Sequence, residues 1–219
     1  ETSEDVSKIS LSALFNPGDW IDRFLNAGRP LVTIALVASA EDHADRYQLG
    51  AFNPGQPDIS NWVKDRITFW AERVNEETGR VLTQEIQEGI DLGEGIPELK
   101  ERVKRVFGFA SETRAEMIAR TETLAASNAG HLAIYKQSGL VERKQWLAAE
   151  DQRTRPAHAA AHRQIVGLTE RFLVGGEMME APGIGGSAGN SVNCRCVVIP
   201  LLSRVAAKAP VATVPVGAV

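Results

Sequence analysis

The sequence predicts an α+β protein: an N-terminal arm, an antiparallel helical bundle, then a small α+β unit with a few short strands. Three observations carry that prediction. Apolar residues recur at helical spacing from Ile59 to about Ser138. After Gly139 the pattern changes to short β-branched and aromatic runs separated by glycines. The side chains best suited to metal binding and acid–base chemistry crowd into the last third of the chain.

The chain reads as four segments: an arm that docks on a partner (1–58), a helical region (59–138), a small α+β unit (139–202) and a low-complexity tail (203–219). In the arm, Pro17-Gly18-Asp19 reads as a turn and a helix start, followed by Trp20, Ile21, Phe24 and Leu25 at helical spacing. Leu31 to Ala40 fits a strand or a helix. Asn53-Pro54-Gly55-Gln56-Pro57-Asp58 closes the segment. The arm needs a partner to bury its aromatics. A chain that opens on Glu1 reads as a processed product or a part of something longer.

From Ile59 onward, Trp62, Val63, Ile67, Trp70 and Val74 form one apolar stripe, with Asp58 or Ser60 as its cap. Leu82, Ile86 and Ile90 continue it to a break at Gly93-Glu94-Gly95. Pro97 suits the first turn of a helix bearing Leu99, Val103, Val106 and Phe107, which Gly108 ends. Ser111 opens a further helix that runs to about Ser138, with Gly139 as its C-cap. Val141 to Ala149 then suits a strand anchored by Trp146, Phe172 to Val174 a second, and Val192 to Leu201 a third. The Ala/Val/Pro tail is an extended arm or linker.

Composition bounds the function. Hydrophobic residues at 43% with 24% charged are ordinary for a soluble globular protein. A net charge of −4 argues against a broad nucleic-acid surface, leaving a local basic patch of Lys100, Arg102, Lys104, Arg105 and Arg114, diluted by glutamates. Two cysteines so close in sequence cannot make a disulfide framework and fit a reducing compartment or a metal site. The longest apolar run, Leu31 to Ala40, falls well short of the ~18–20 residues that span a bilayer.

Three groups of residues could carry chemistry. His158 and His162 share a face if they lie on a helix, and Cys194 and Cys196 point to one side if they lie on a strand. Together they could hold a structural zinc in a two-Cys, two-His site. The plainer alternative packs the cysteines as small apolar groups, with His158 held by a carboxylate such as Asp151. The run Asp151-x-Arg153-x-Arg155-x-x-His158 puts a carboxylate among guanidinium groups and an imidazole. Such a set locks a loop against the sheet or, less favoured in so Gly- and Pro-rich a segment, provides an acid/base pair. In Arg120-Thr121-Glu122, Glu122 falls on the stripe of Ile118, Ala125, Ala129 and Leu132. A buried carboxylate needs a partner, and Arg153 or Arg155 are the suppliers expected; a rotated helix would leave it solvated. The Gly183–Gly189 loop lacks the Lys and following helix of a phosphate loop. His43 and His131, isolated in sequence, read as surface residues.

The order of these motifs resembles a known family. Ile118-Ala119-Arg120-Thr121-Glu122, the Ala-rich helix centred on Asn128, Tyr135 and Gly139 are similar to the first half of the phage Mu F-protein-like domain. Trp146, Asp151-x-Arg153-x-Arg155-x-x-His158 and Asn193-Cys194-Arg195-Cys196 are similar to its second half, so that the resemblance covers about 60–202. Two places depart from the pattern: His162-Arg163 stands where members often have Asp-Gly, and Pro182-Gly183-Ile184-Gly185 replaces a Pro-Gly-Asp-Pro-like turn. The resemblance implies a minor head, or head morphogenesis, protein of a tailed phage or phage-like particle, with no established catalytic activity. It implies a place in the virion near the portal and capsid interior, several copies per particle, and the host cytoplasm during assembly. The partners it implies are the portal and/or major capsid protein, near packaged DNA and without a membrane. The competing expectations are a particle-carried metal-assisted hydrolase, which needs an open metal position and a base, and a DNA-binding module, which needs a basic face.

Overall fold

The computed structural model describes residues 17–202. The start of the arm and the tail fall outside them. Three long helices come first: α1 (Pro17–Tyr47), α2 (Pro57–Asp91) and α3 (Ile96–Ser138). The ambiguous stretch from Leu31 to Ala40 is helical, in the second half of α1. Its periodicity explains why: Val32, Leu36, Ala40 and Ala44 are buried every fourth residue, while Leu31 and Ile34 are exposed. Asp58 lies within the first turn of α2 rather than capping it, where its charge favours the helix N-terminus.

Gly108 does not end a helix, because α3 runs through it without a break. A glycine inside a helix costs only about 1 kcal/mol relative to alanine, which its helix-forming neighbours outweigh. A stop needs the left-handed conformation, and Gly139 adopts it at φ 64°.

The described residues fall into two compact units, each built from two separate stretches: 17–35 with 54–126, and 36–53 with 127–202. In the first, α2 and α3 run antiparallel. Arg66 pairs with Glu122 at 2.9 Å near one end of the hairpin, and Arg102 lies 3.1 Å from Glu85 near the other. Ile59, Val63, Ile67 and Ala71 form the buried stripe of α2. Arg102, part of the expected basic patch, is also taken by Glu94 at 2.6 Å. Its charge is neutralised inside the hairpin, which weakens the DNA-binding expectation.

The second unit holds the C-terminal ends of α1 and α3 and all six strands. β1 (Val141–Leu147) is the centre of an antiparallel sheet ordered β2-β1-β6, with β2 at Ile165–Gly167 and β6 at Val197–Leu202. β3 (Phe172–Val174), β4 (Glu177–Ala181) and β5 (Ile184–Gly185) make a second antiparallel sheet. Two short helices, α4 (Pro156–Ala160) and α5 (Ala188–Ser191), sit between strands. The last strand begins at Val197 rather than Val192. The chain first turns out of α5, and Asn193 takes a left-handed φ of 53° that an extended strand cannot contain. Trp146 is fully buried on β1 and meets the Phe172 ring edge-on at 5.4 Å. No helix among the described residues is long and apolar enough to cross a membrane.

In this unit α1 and α3 touch backbone to backbone at Gly130. A Cβ there would lie 2.2 Å from the Leu36 carbonyl oxygen and 3.1 Å from the Ala40 nitrogen. Neither atom can give way without moving its helix, so Gly130→Ala forces the two helices apart. The expected loss of stability is about 2–3 kcal/mol, in the upper part of the ~1–3 kcal/mol usual for overpacking a tight interior. Urea unfolding followed by circular dichroism measures it, and an unchanged midpoint would mean the helices are not in contact there.

Candidate functional site

His158, Cys194 and Cys196 come together in the second unit. His158 Nδ1 lies 3.6 Å from Cys194 Sγ and 3.4 Å from Cys196 Sγ, and the three donor atoms all fall within 4.8 Å of one another. All three residues are buried, at 2%, 5% and 2% exposure, and both cysteines are free thiols.

Local sequence explains the approach. Arg155 is extended and Pro156 takes the first position of α4, where its missing N–H and fixed φ cost nothing. One turn later His158 points inward against Trp146, ring edge to face at 5.6 Å. The cysteines lie on the irregular lead-in to β6, not on the strand itself, yet burial alternates there so that 194 and 196 face in and Arg195 faces outward. The side chain of Asn128 on α3 fixes that lead-in. Its amide donates to the Pro182 carbonyl at 3.0 Å and to the Cys196 carbonyl at 3.3 Å, and its oxygen accepts from Val198 N–H at 2.9 Å.

Two polar atoms beside the trio, His158 Nε2 and Trp146 Nε1, are buried without a hydrogen-bond partner among the described residues. The two thiols share their protons unequally. Hydrogen bonds from Cys194 and His158, and more weakly the Trp146 N–H dipole, draw Cys196 toward the thiolate, while the thiolate beside it pushes Cys194 up. A soft, buried donor set of one imidazole and two sulfurs suits zinc.

His162 stands apart from the trio. α4 ends at Ala160, so residues 158 and 162 do not share a helix face. Instead His162 Nδ1 accepts from Ala148 N–H at 3.2 Å, and its Nε2 lies 3.1 Å from the Arg163 guanidinium. It stitches the end of β1 to the turn after α4.

The expected polar network resolves into separate contacts. Asp151 does not hold His158; it takes the Arg195 guanidinium through both carboxylate oxygens and caps its own turn by accepting from Arg153 N–H at 2.9 Å. The Arg195 contact holds its carboxyl well below the usual range. Arg195 sits between the two cysteines, so this pair ties the Cys-x-Cys segment to the loop before α4. Arg155 donates to the Val192 carbonyl at 2.5 Å, another tie between the same two stretches. Arg153 is exposed and contributes its backbone. Arg120 is exposed too and pairs with Glu116 one turn back at 2.7 Å. Glu122 is buried, as its stripe position implies, but its partner is Arg66, in a two-pronged contact at 2.9 and 3.1 Å. Position 66 faces position 122 across the antiparallel hairpin, so the nearest guanidinium comes from α2. Burial still raises the Glu122 pKa, an effect that Arg66 opposes.

Three functional-looking features escaped the sequence reading. His43 and His131 are not surface residues: both are buried, stacked at 3.4 Å with an 8° tilt, and His43 Nδ1 lies 2.6 Å from the Tyr135 hydroxyl. They border a groove of about 540 Å³ that also involves Asp42, Arg46 and Tyr47. A signal existed, since His43 falls on the Leu36–Ala40 stripe and His131 lies three residues beyond Asn128 and four before Tyr135. Lys144 is fully buried, donates to the Glu180 carbonyl at 2.8 Å and lies over the Phe172 ring, and burial lowers its pKa to about 8. Nothing local in its strand announces that.

The same stretch that builds this unit and much of the helical hairpin, residues 80–199, matches the family model described as Phage Mu protein F like protein. The chain belongs to this family. The chain has long helices followed by small antiparallel sheets, and the family points to phage head morphogenesis. Among curated proteins, this Mu F-like chain is 30% identical over 149 residues to the uncharacterized protein YqbB of Bacillus subtilis (strain 168), covering 65% of this chain and 48% of that one. It is 28% identical over 143 residues to the NAD(+)--arginine ADP-ribosyltransferase EFV of Enterococcus faecalis (strain ATCC 700802 / V583), covering 64% of this chain and 29% of that protein. The aligned part therefore spans about half or less of the length of these relatives. No solved structure matches the chain.

Proposed function

We propose that this protein is a minor head protein of a tailed phage or phage-like particle, a structural component near the portal and the capsid interior. The family match over residues 80–199 carries the reading. Its partners are the portal and/or major capsid protein, it is present in several copies close to packaged DNA, and it is soluble in the host cytoplasm until assembly.

The geometry supports an assembly role over catalysis. The alternative, a particle-carried metal-assisted hydrolase, needs a free base near an open site. Asp151 is consumed by Arg195 and Glu122 by Arg66, while Arg155 holds a backbone carbonyl. The transferase activity named for the enterococcal relative belongs to a protein of which this chain matches less than a third. On α1, Leu31 and Ile34 are 70% and 65% exposed and one turn apart, an apolar pair suited to a protein partner.

Co-expression with the portal and major capsid proteins of its own particle tests the reading. Purified particles are expected to contain a few copies of the chain by quantitative mass spectrometry, and Leu31→Asp with Ile34→Asp to lower that number at least fivefold. Particles that assemble at normal yield and never contain the chain would overturn the assignment.

A further inference from the structure

We propose that His158, Cys194 and Cys196 form a three-residue zinc site, with His158 Nδ1 and the two sulfurs as ligands and His162 excluded. The two nitrogen–sulfur separations are those of a tetrahedral zinc site. Zinc–sulfur bonds of ~2.3 Å and zinc–nitrogen bonds of ~2.0–2.1 Å at tetrahedral angles separate nitrogen from sulfur by roughly 3.5 Å. The two separations here are 3.4 and 3.6 Å.

A hydrogen-bonded trio without metal explains the arrangement less well. Nδ1 offers either one lone pair or one hydrogen, so it cannot bond both sulfurs at full strength. Two sulfurs nevertheless face it at nearly equal distance, inside a packed interior where unsatisfied polar groups are costly. One zinc ion satisfies all three donors at once. Two thiolates balance its charge, so the buried group is neutral. The Trp146 N–H, otherwise without a partner, acts on Cys196 and would support a bound thiolate there.

The rest of the molecule presets the ligands. The Asp151–Arg195 pair and the Arg155 contact to the Val192 carbonyl hold the two stretches together, and the Asn128 amide on the Cys196 carbonyl fixes the second of them to α3. Zinc at their centre staples α4 to the lead-in of β6. Three protein ligands leave one tetrahedral position for a ligand from outside the trio. This site stands independently of the particle assignment, since it rests on the donor geometry alone.

The test is metal content of the full chain, purified reduced and without chelator, by elemental mass spectrometry. The wild type is expected to carry one zinc per chain. Cys196→Ser and His158→Ala are expected to lower it at least tenfold, whereas His162→Ala retains it. Cobalt(II) titrated into metal-stripped wild type is expected to give thiolate-to-metal charge-transfer absorption saturating at one equivalent. This last measurement decides the matter even if the serine variant does not fold. A reduced wild type that purifies metal-free and gives no charge-transfer band overturns the proposal. So does cobalt bound without that band, which marks adventitious surface binding. Loss of zinc from His162→Ala as severe as from Cys196→Ser overturns the three-residue ligand set.

Discussion

Asn128→Ala is expected to lower stability by about 5 kcal/mol. The side chain is fully buried and makes three hydrogen bonds, all to backbone groups: the carbonyls of Pro182 and Cys196 and the N–H of Val198. Truncation leaves those three groups in an interior that water does not reach, and each buried unsatisfied group costs about 1–3 kcal/mol. A small cavity adds to the loss. Asn128→Asp is the informative companion. It keeps the acceptor for Val198 N–H but sets carboxylate oxygens against two carbonyls, so it is expected to be at least as damaging as alanine. Urea unfolding at pH 7 measures both. Losses under 1 kcal/mol would mean that α3 does not organise the lead-in to β6.

Acid is expected to destabilise the fold well before its carboxylates titrate, through His43 and His131. Burial lowers the His43 pKa to about 4 and the His131 pKa to about 3, in the latter case helped by the neighbouring ring. Asp42 opposes both shifts and Arg46 reinforces them, the two charged groups beside the stacked rings. The unfolded chain protonates both rings near the ordinary 6.5, so between there and about 4 it binds more protons than the folded state. Stability therefore rises with pH across that window. It is complete above about 6.5 and falls away with acid, until the folded rings themselves take up protons near 4 and 3. With two rings the slope approaches ~2.7 kcal/mol per pH unit, which amounts to roughly 3–4 kcal/mol between pH 7 and pH 5. Urea midpoints at half-unit pH steps would trace the curve. His43→Phe with His131→Leu should flatten it even if the neutral-pH stability falls, and a slope unaltered in that variant would assign the acid sensitivity elsewhere.

The helices were legible because their signal is local. The buried stripe from Ile59 to Ala71 and the left-handed Gly139 are patterns within one element, whereas the Ala-rich stretch from Leu31 to Ala40 fitted strand and helix alike until the structure showed burial every fourth residue. Gly108 misled for a related reason: a helix breaker is weak against a long favourable run, and only a glycine that must be left-handed marks an end. The Cys-x-Cys and His158 were also legible as donors, because residue type and spacing alone select them. Their meeting depends on Arg195 reaching Asp151 across 44 residues and on Asn128 reaching Cys196 across 68, contacts that no local pattern encodes.

The pairings divide the same way. That Glu122 is buried and in need of a cation follows from its place on a helical stripe; that Arg66 supplies the cation follows from the antiparallel register of two helices, 56 residues apart in sequence. His162 looked equivalent to His158 because four residues separate them, and they part because α4 ends after five residues. His43 and His131 looked idle because each is alone in its own stretch, and they form a buried stack because α1 and α3 close onto each other at Gly130. The sequence by itself determined the fold class, the family and the chemical inventory, since these rest on periodicity, motif order and residue type. Only the tertiary structure decided which donor meets which partner, because hydrogen bonds and ion pairs act over a few ångströms and the chain brings distant residues to that range only when it folds.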